Sequence, residues 1–235
     1  MSSTGAQRPG VGDSGARARR ATLQPRARAT RLAILTAAAE HFARNGYHAT
    51  SLDSVLADSG GTKGALYFHF VSKEALARAV IAKMGQGWDG LRGQISGRGL
   101  DPLSALVALL DETVAQLIDS PIARGGMRLL GELPMCAQDT PGQYGVAERD
   151  VLALLAQAAQ AGLLQEGIEP APLARHIVAV VAGHRQICEV EDGRHYLRQR
   201  LEEAWALLLP AIATDAWLAA WHAARPDQGG RCGGS

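Results

Sequence analysis

The sequence predicts an all-α protein with a small N-terminal three-helix domain and a larger C-terminal helical domain. Three observations support this fold class. Apolar residues make up 47% of the 235 residues and aromatic residues only 5%, and an Ala- and Leu-rich composition favours helices over strands. Apolar side chains recur at helical spacing along most of the chain, between capping residues and glycines. No segment shows the alternating pattern of a convincing strand.

Capping residues and glycines mark the ends of four helices in the N-terminal part of the chain. Gly46 ends the first helix and Gly60 the second, because glycine readily adopts the backbone of a helix C-terminus. Ser51 or Thr50 caps the second helix and Ser72 caps the fourth, since their hydroxyl oxygens can accept from free N–H groups. These signals place helices at about 29–45, 52–59, 62–69 and 72–91.

Longer helices are predicted after the glycine-containing turn at residues 97–99. Pro102 suits the first turn of a helix, where its missing N–H does no harm. Pro134 ends another helix and Pro210 kinks the last one, because an interior proline removes a hydrogen bond. The predicted helices cover about 102–120, 122–134, 143–161, 172–191 and 196–222.

The ends of the chain differ in composition from its centre. Residues 1–27 contain five arginines and almost no large apolar side chain, so we predict a flexible basic arm. Residues 226–235 predict a flexible tail. Between these ends, we expect one domain over 28–80 and a second over 81–225.

Charge is divided unevenly along the chain. Residues 1–90 contain 12 Lys and Arg against 6 Asp and Glu, whereas residues 91–235 contain 12 against 17. A basic front indicates a polyanionic partner for the first domain. A solvated, Arg-rich tail explains the same imbalance equally well, so charge alone does not decide.

The cysteines and the longest apolar runs indicate the cellular compartment in which the protein is expected. Cys136, Cys188 and Cys232 lie far apart without C-x-x-C spacing, which argues against a disulfide framework or a zinc site. No segment resembles a signal peptide, and no apolar run approaches the roughly 20 residues that span a bilayer. We expect a cytoplasmic, nucleoid-associated protein without membrane contact.

Two short helices joined by a glycine-containing turn, after a packing helix, form the layout of a helix-turn-helix. On the second short helix Lys63, Gly64 and Tyr67 share one side. Lys63 can donate to the acceptors of guanine, and Gly64 permits close approach to the duplex. An ordinary three-helix core with a solvated face is the alternative. The predicted DNA-binding residues are Thr50, Ser51, Thr62, Lys63, Gly64, Tyr67, His69, Lys73 and Arg28.

The segment Gly60–Leu76, GGTKGALYFHFVSKEAL, closely resembles the recognition segment of TetR-family repressors. The preceding Ala38-Ala39, Phe42, Gly46-Tyr47 and Thr50-Ser51 fit that family's first helix and turn. Within the family, TKGALYFHF is similar to the γ-butyrolactone-type autoregulator receptors of actinomycetes, and so is WALLLPAIA over residues 205–213. The resemblance implies a dimeric repressor that binds operator DNA and is released by a small-molecule inducer, with control of antibiotic or other secondary-metabolite genes.

Two positions depart from the family pattern. Gly61 stands where a bulky apolar residue usually packs under the turn. The helix at 143–161 lacks the tryptophan that typically lines the pocket of the butyrolactone receptors, and Tyr144 or Val146 takes the approximate place. A furan-type or acidic head group therefore suits a tyrosine hydroxyl better than a plain butyrolactone does. The predicted ligand-binding residues, with core packing as the alternative, are Trp88, Met127, Leu130 and Tyr144.

Two apolar stripes on the helices at 172–191 and 196–222 predict a dimer interface. Paired across a two-fold axis they would form a four-helix interface, which the family resemblance implies. Intramolecular core is the alternative for one stripe. The predicted interface residues are Ile177, Val181, His184, Leu201, Trp205 and Leu208.

The sequence gives little support to other classes of protein. Residues 85–90 match the dinucleotide-binding pattern G-x-G-x-x-G, but that motif requires a preceding strand and a βαβ unit. No nucleophile motif or metal-ligand spacing occurs, so we expect neither an enzyme nor a cofactor. The alternatives are a TetR-family regulator for an unrelated drug or metabolite, controlling efflux or catabolism, and a helical small-molecule enzyme or carrier.

Overall fold

The computed structural model describes residues 13–133, 143–192 and 194–224. Within these ranges the chain forms α-helices and one π-helical turn, and its β contact is an isolated antiparallel bridge between Leu164 and Ala213. The predicted all-α class is confirmed. In the same ranges, no helix is long and apolar enough to cross a membrane.

Helix α2 begins and ends at its predicted signals, and α4 begins at its predicted cap. Gly46 interrupts the first helix with a left-handed φ of 77°, and Gly60 ends the second at φ 66°. Ser51, Thr62 and Ser72 each accept a backbone N–H through the side chain at a helix start. The helices are α1 (Asp13–Ala49), α2 (Leu52–Ser59), α3 (Lys63–His69) and α4 (Lys73–Ser96).

Helix α1 begins at Asp13, which corrects part of the predicted flexible arm. Residues 16–28 consist mainly of alanine, arginine, glutamine and leucine, which are strong helix formers. A helix that is already anchored by the buried Ile34 and Leu35 therefore extends outward, with Pro25 inside it. The remainder of the predicted arm, residues 1–12, and the predicted tail, 226–235, lie outside the described residues.

Six helices follow α4 within the described ranges. Helix α4 runs five residues beyond its predicted end, and the G-x-G-x-x-G segment lies in its interior. A π-helical turn, Cys188–Asp192, follows the fourth of the six. These helices are α5 (Pro102–Asp119), α6 (Pro121–Glu132), α7 (Gln143–Gln160), α8 (Pro170–Ile187), α9 (Tyr196–Ile212) and α10 (Asp215–Ala224).

The last predicted helix breaks at Ala213 and Thr214 instead of kinking at Pro210. Pro210 lies inside α9, and the backbone N–H of Thr214 donates to the carbonyl of Leu163 at 3.0 Å. The side chain of Gln165 donates to the carbonyls of Pro210 and Ala213, both at 3.1 Å. The loop between α7 and α8 therefore stabilises a helix end that a local sequence signal does not mark.

Two main apolar clusters divide the described chain. The first contains buried residues between Ile34 and Val80 together with Leu129 of α6. The second extends from Met84 to Trp217 and fills the C-terminal helices. The predicted domain boundary at residues 80–81 falls between these clusters, and α6 contributes to both.

Helix α6 packs directly on the backbone of α1. A Cβ atom built at Gly125 would lie 2.4 Å from the carbonyl oxygen of Ala39. At the end of α1, Arg128 donates to the carbonyls of Ala43 and Arg44, both at 3.0 Å. These contacts fix the position of the N-terminal helices against the C-terminal helices.

Candidate DNA-binding and ligand-binding sites

Helix α3 presents one face to the core and the opposite face to solvent. Leu66 is buried in the first apolar cluster with Ile34 and Val55. Lys63 and Gly64 are exposed, and Tyr67 is 47% exposed. No described atom outside the helix lies within 4 Å of a Cβ built at Gly64. A polar, open face of this kind allows a helix to approach base edges in a major groove.

Most of the other predicted DNA contacts lie at the surface around α3. Ser51 and Thr62 are exposed although their hydroxyls cap helices, and Arg28 is exposed on α1. His69 is half-buried, with its ring edge-on to Phe68 at 5.1 Å between centroids. Hydroxyl and cationic groups around a reading helix are suited to phosphate contacts.

Two predicted DNA contacts make hydrogen bonds within the fold. Thr50 is only 3% exposed, and its hydroxyl donates to the carbonyl of Gly46 at 2.7 Å, so its side chain does not reach the surface. The ammonium group of Lys73 donates to the carbonyl of His48 at 3.1 Å and lies 4.5 Å from the centre of the Tyr47 ring. Lys73 therefore links the start of α4 to the end of α1, which sequence spacing does not reveal.

Two apolar side chains, one in α3 and one just after it, are exposed and were not predicted as part of the surface. Phe68 is 81% exposed and Val71 is 82% exposed. Apolar contacts to thymine methyl groups are a common form of major-groove recognition. A periodicity argument assigns such residues to the core, so no sequence signal identified them.

Helices of the C-terminal part of the chain and the second half of α4 line a partly open cavity of about 100 Å³. Its walls come from α4, α5, α6, α7 and α8, and they are mostly apolar. The predicted ligand-binding residues Trp88, Met127 and Tyr144 line this cavity, as does Val146. Leu130 does not line it and instead packs against the second apolar cluster.

Polar and charged groups that the sequence did not indicate also line the cavity. Arg92 of α4 donates to Asp150 of α7 at 2.8 Å and also pairs with Asp89. Thr113 lines the cavity from α5, where its hydroxyl donates to the carbonyl of Leu109. The Arg92–Asp150 pair spans 58 residues of sequence, so only the tertiary fold identifies it.

Arg185 of α8 connects the cavity wall to Tyr144. Its Nη1 donates to both carboxylate oxygens of Glu189 at 2.9 Å, and its Nη2 donates to the hydroxyl of Tyr144 at 3.2 Å. Burial lowers the pKa of Arg185, but the Glu189 carboxylate and Tyr144 outweigh burial and hold the pKa above its ordinary value. Arg185 therefore carries its charge at every physiological pH.

Four of the six predicted dimer-interface residues face the interior of the folded chain. Ile177, Leu201 and Trp205 are at most 6% exposed, and Trp205 Nε1 donates to Asp111 at 3.2 Å. Val181 lines the cavity. The apolar stripes were assigned to the wrong partner, because an intramolecular core and an interface produce the same periodicity.

The remaining two predicted interface residues are less clearly placed. His184 and Leu208 are half-buried, and Leu208 packs against the second cluster. The outer faces of α8 and α9 are exposed instead, and Leu207 is 78% exposed. The exposed residues there are His176, Ala179, Gly183, Ile187, Gln199, Glu203, Ala206 and Leu207.

In the described ranges, no group of three or more His, Cys, Asp or Glu side chains could hold a metal ion. The described free cysteine, Cys188, is buried in the second cluster. The chemistry of the described part is therefore that of two binding surfaces, an open cationic helix face and a partly open apolar cavity with a polar edge.

Comparison with known proteins defines the class to which this fold and these sites belong. The model of the tetR family of bacterial regulatory proteins matches residues 34–80, which cover the buried part of α1 through the first turns of α4. A solved structure of the TetR family protein CprB from Streptomyces coelicolor A3(2) is 30% identical, with a TM-score of 0.76, over 87% of this chain and 99% of that chain. The chain belongs to the TetR family, as the resemblance of its recognition segment predicts.

Within the family, the similarity extends to hormone receptors. The A-factor receptor protein of Streptomyces griseus is 34% identical over 191 residues, which cover 81% of this chain and 66% of that receptor. A solved γ-butyrolactone receptor is 29% identical with a TM-score of 0.71, over 81% of this chain and 92% of that chain. The regulator UidR of Escherichia coli matches over only 30% of its length, so the chain spans about two thirds or less of these curated relatives. The relatives are transcriptional regulators.

Proposed function

We propose that the chain is a dimeric transcriptional repressor that binds a pseudo-palindromic operator and is released by a γ-butyrolactone-like or furan-type signalling molecule. One observation carries the proposal. A helix-turn-helix with an open polar reading face is joined, through α4 and α6, to a helical domain that contains an apolar cavity. The A-factor receptor and the γ-butyrolactone receptor are similar over four fifths of the chain, which supports the ligand class.

DNA recognition in this proposal depends on two copies of α3. In a dimer they would enter successive major grooves about 34–36 Å apart. Lys63 would read guanine through its ammonium group, while Tyr67, Arg28 and Ser51 would contact phosphates. CprB has been solved in complex with its operator sequence at a TM-score of 0.72 to this chain, which supports this mode of binding. Such a protein would act at the nucleoid in the cytoplasm.

The proposed dimer uses the exposed outer faces of α8 and α9. Leu207 and Ile187 are large apolar side chains that remain exposed on these faces. Small residues such as Ala179 and Gly183 on α8 are exposed beside them and allow two helix pairs to approach closely. A four-helix arrangement across a two-fold axis would bury these surfaces.

Induction requires a ligand that prefers a state in which the two reading helices no longer match adjacent grooves. A shift from 1:99 to 99:1 requires a preference of about 5.5 kcal/mol between the two states. Trp88 on α4 and Met127 on α6 line the cavity, and both helices also contact the DNA-binding domain. A ligand that enlarges the cavity would therefore displace both connections.

Fluorescence anisotropy of the full-length protein on its own upstream DNA tests the proposal. We expect tight binding that weakens steeply with salt, because phosphate contacts release counterions. We also expect loss of binding when about half a helical turn is inserted between half-sites, and release by γ-butyrolactone or furan candidates. Binding without dependence on half-site spacing would contradict the dimeric repressor.

A second candidate is a TetR-family regulator for an unrelated drug or metabolite. A SmeT–triclosan complex is 25% identical to this chain with a TM-score of 0.65 over 80% of its length, which favours this alternative over an enzyme or carrier. Release of the operator by drugs alone, with no effect of either autoregulator class, would select it.

A further inference from the structure

The N-terminal half of α1 concentrates positive charge without any carboxylate. Residues 14–31, which we call the arginine segment, contain six arginines and no Asp or Glu, and the next carboxylate along the chain is Glu40. Arg26, Arg28 and Arg31 are exposed. A helix with this charge attracts a polyanion, because no acidic residue of the segment offsets its field.

The arginine segment contributes little to the core of the fold. From Pro25 to Arg31 no side chain is buried, and the first apolar cluster begins at Ile34. Arg28 and Arg31 are three residues apart, so they are neighbours on the helix and their charges repel. A bound polyanion removes this repulsion. The composition of the segment therefore suits binding better than packing.

The arginine segment ends beside the reading helix α3. The guanidinium carbon of Arg31 lies 5.1 Å from the centre of the Phe70 ring, and Phe70 directly follows α3. At the next turn of α1, the side chain of Ile34 lies 3.7 Å from a Cβ atom built at Gly61, in the turn before α3. Helix α3 is only about 10 Å long, so the segment projects from a point close to the reading face.

The length of the arginine segment determines how much DNA it can cover. Its 18 residues span about 27 Å, because a helix rises 1.5 Å per residue. Successive base pairs of B-DNA are about 3.4 Å apart, so the segment is as long as about eight base pairs. This length is sufficient to extend from a half-site bound by α3 into the flanking DNA.

From these observations we propose that the arginine segment is a second DNA-binding element, which contacts phosphates of the DNA flanking each half-site. Arginine suits this role because its planar guanidinium pairs with phosphate through two N–H groups. The arginines that it adds to the proposed contact of Arg28 are Arg17, Arg19, Arg20 and Arg26. The inference rests on the proposed function, since it extends the operator contact of α3. Phosphate contacts add affinity and salt dependence without reading the flanking sequence.

Two operator duplexes of different length test the inference. Both contain the same two half-sites, but one ends about two base pairs beyond them and the other about ten, slightly more than the reach of the segment. Fluorescence anisotropy with the full-length protein at about 0.15 M salt measures both affinities. We expect the long duplex to bind at least roughly tenfold more tightly, because its additional phosphate contacts release counterions. A long duplex with scrambled flanks should bind as tightly as the first.

A double substitution, Arg20→Gln with Arg26→Gln, identifies the segment as the cause. Glutamine has nearly the helix propensity of arginine, so the change removes charge and keeps the helix. The variant should lose most of the preference for the long duplex, and its salt slope there should fall by about two to four, because each protomer loses two charges. Its affinity for the short duplex should be nearly unchanged, which shows that the fold is intact.

The matched control is Arg98→Gln with Arg149→Gln. It removes the same charge at two exposed positions after the DNA-binding domain, and it should keep the preference for the long duplex. A preference that survives equally in Arg20→Gln with Arg26→Gln would overturn the inference, because it would arise without the segment.

Other outcomes separate the inference from the proposed function. Equal affinity of the unsubstituted protein for both duplexes, with binding that still depends on half-site spacing, would overturn the inference and leave the repressor in place. This result is expected if the arginine segment binds an acidic protein surface instead. Binding that requires the segment but not the half-site spacing would contradict the dimeric repressor and support the inference. Absence of binding to either duplex would contradict both.

Discussion

Replacement of Gly125 by alanine tests the packing of α6 on α1, through which the two domains are held together. A Cβ atom at this position would lie 2.4 Å from the carbonyl oxygen of Ala39, 2.9 Å from its Cα and 3.0 Å from its carbonyl carbon. All three atoms belong to the backbone of α1, so no side-chain rotation relieves the overlap. The two helices have to separate.

The expected loss of stability follows from two opposing effects. Added atoms in a well-packed interior cost about 1–3 kcal/mol, and rigid backbone contacts favour the upper end of this range. Alanine in place of glycine gains about 0.4–1 kcal/mol by restricting the unfolded chain. The net loss is about 2 kcal/mol, which for a chain of this size lowers Tm by about 4–8 °C.

Thermal unfolding followed by circular dichroism measures this loss, with two further glycines of α6 as controls. Gly131→Ala should gain up to about 1 kcal/mol, because no described atom outside the helix lies within 4 Å of its Cβ position. Gly126→Ala should fall between the two, since its Cβ meets the flexible side chain of Met84 at 2.6 Å. A Gly125→Ala variant as stable as Gly131→Ala would refute the close contact of α6 with α1.

Three other predictions concern binding, assembly and pH. Lys63→Ala should weaken specific operator binding by about 1–3 kcal/mol and relax the sequence specificity at the base pair that Lys63 contacts. Unchanged operator affinity, measured by fluorescence anisotropy, would exclude Lys63 from the reading face. Leu207→Glu should shift the protein to a monomer in light scattering, because it places a charge on the proposed interface, whereas Leu100→Glu, also at an exposed leucine, should not. Burial raises the pKa of Glu132, but hydrogen bonds from Arg128 and Tyr47 outweigh it and lower the pKa below its ordinary 4.5. The stability that this group contributes is therefore present above pH 4.5 and lost as the pH falls through the lowered value. Denaturant titrations should show that the free energy of unfolding falls less between pH 7 and pH 3 in Glu132→Gln than in the unsubstituted protein. An equal fall in both proteins would contradict this role.

The sequence predicted features that depend on neighbouring residues. Ser51 and Gly60 act within one turn of chain, so both ends of α2 followed from local signals alone. Trp88 and Tyr144 were predicted to bind ligand because they are large side chains with polar tips, and Met127 because it belongs to an apolar set. All three line the cavity.

Features that depend on distant contacts were not predicted. The break after Ile212 depends on a hydrogen bond from Thr214 N–H to the carbonyl of Leu163 and on one from the Gln165 side chain to the carbonyl of Ala213. The stripes on α8 and α9 have a helical period whether they face the core or a second chain, and Trp205 faces the core. Thr50 carries a hydroxyl suited to DNA, but the hydroxyl donates to Gly46. Periodicity identifies an amphipathic face without identifying what covers it.

Release of operator DNA by a saturating ligand tests the central claim most directly. A preformed complex of the full-length protein with labelled operator is titrated with a γ-butyrolactone until calorimetry shows that the protein is saturated. The account predicts that the anisotropy falls to the value of free DNA at concentrations near the Kd of the ligand. Anisotropy that stays at the value of the complex, with the cavity saturated, would contradict it.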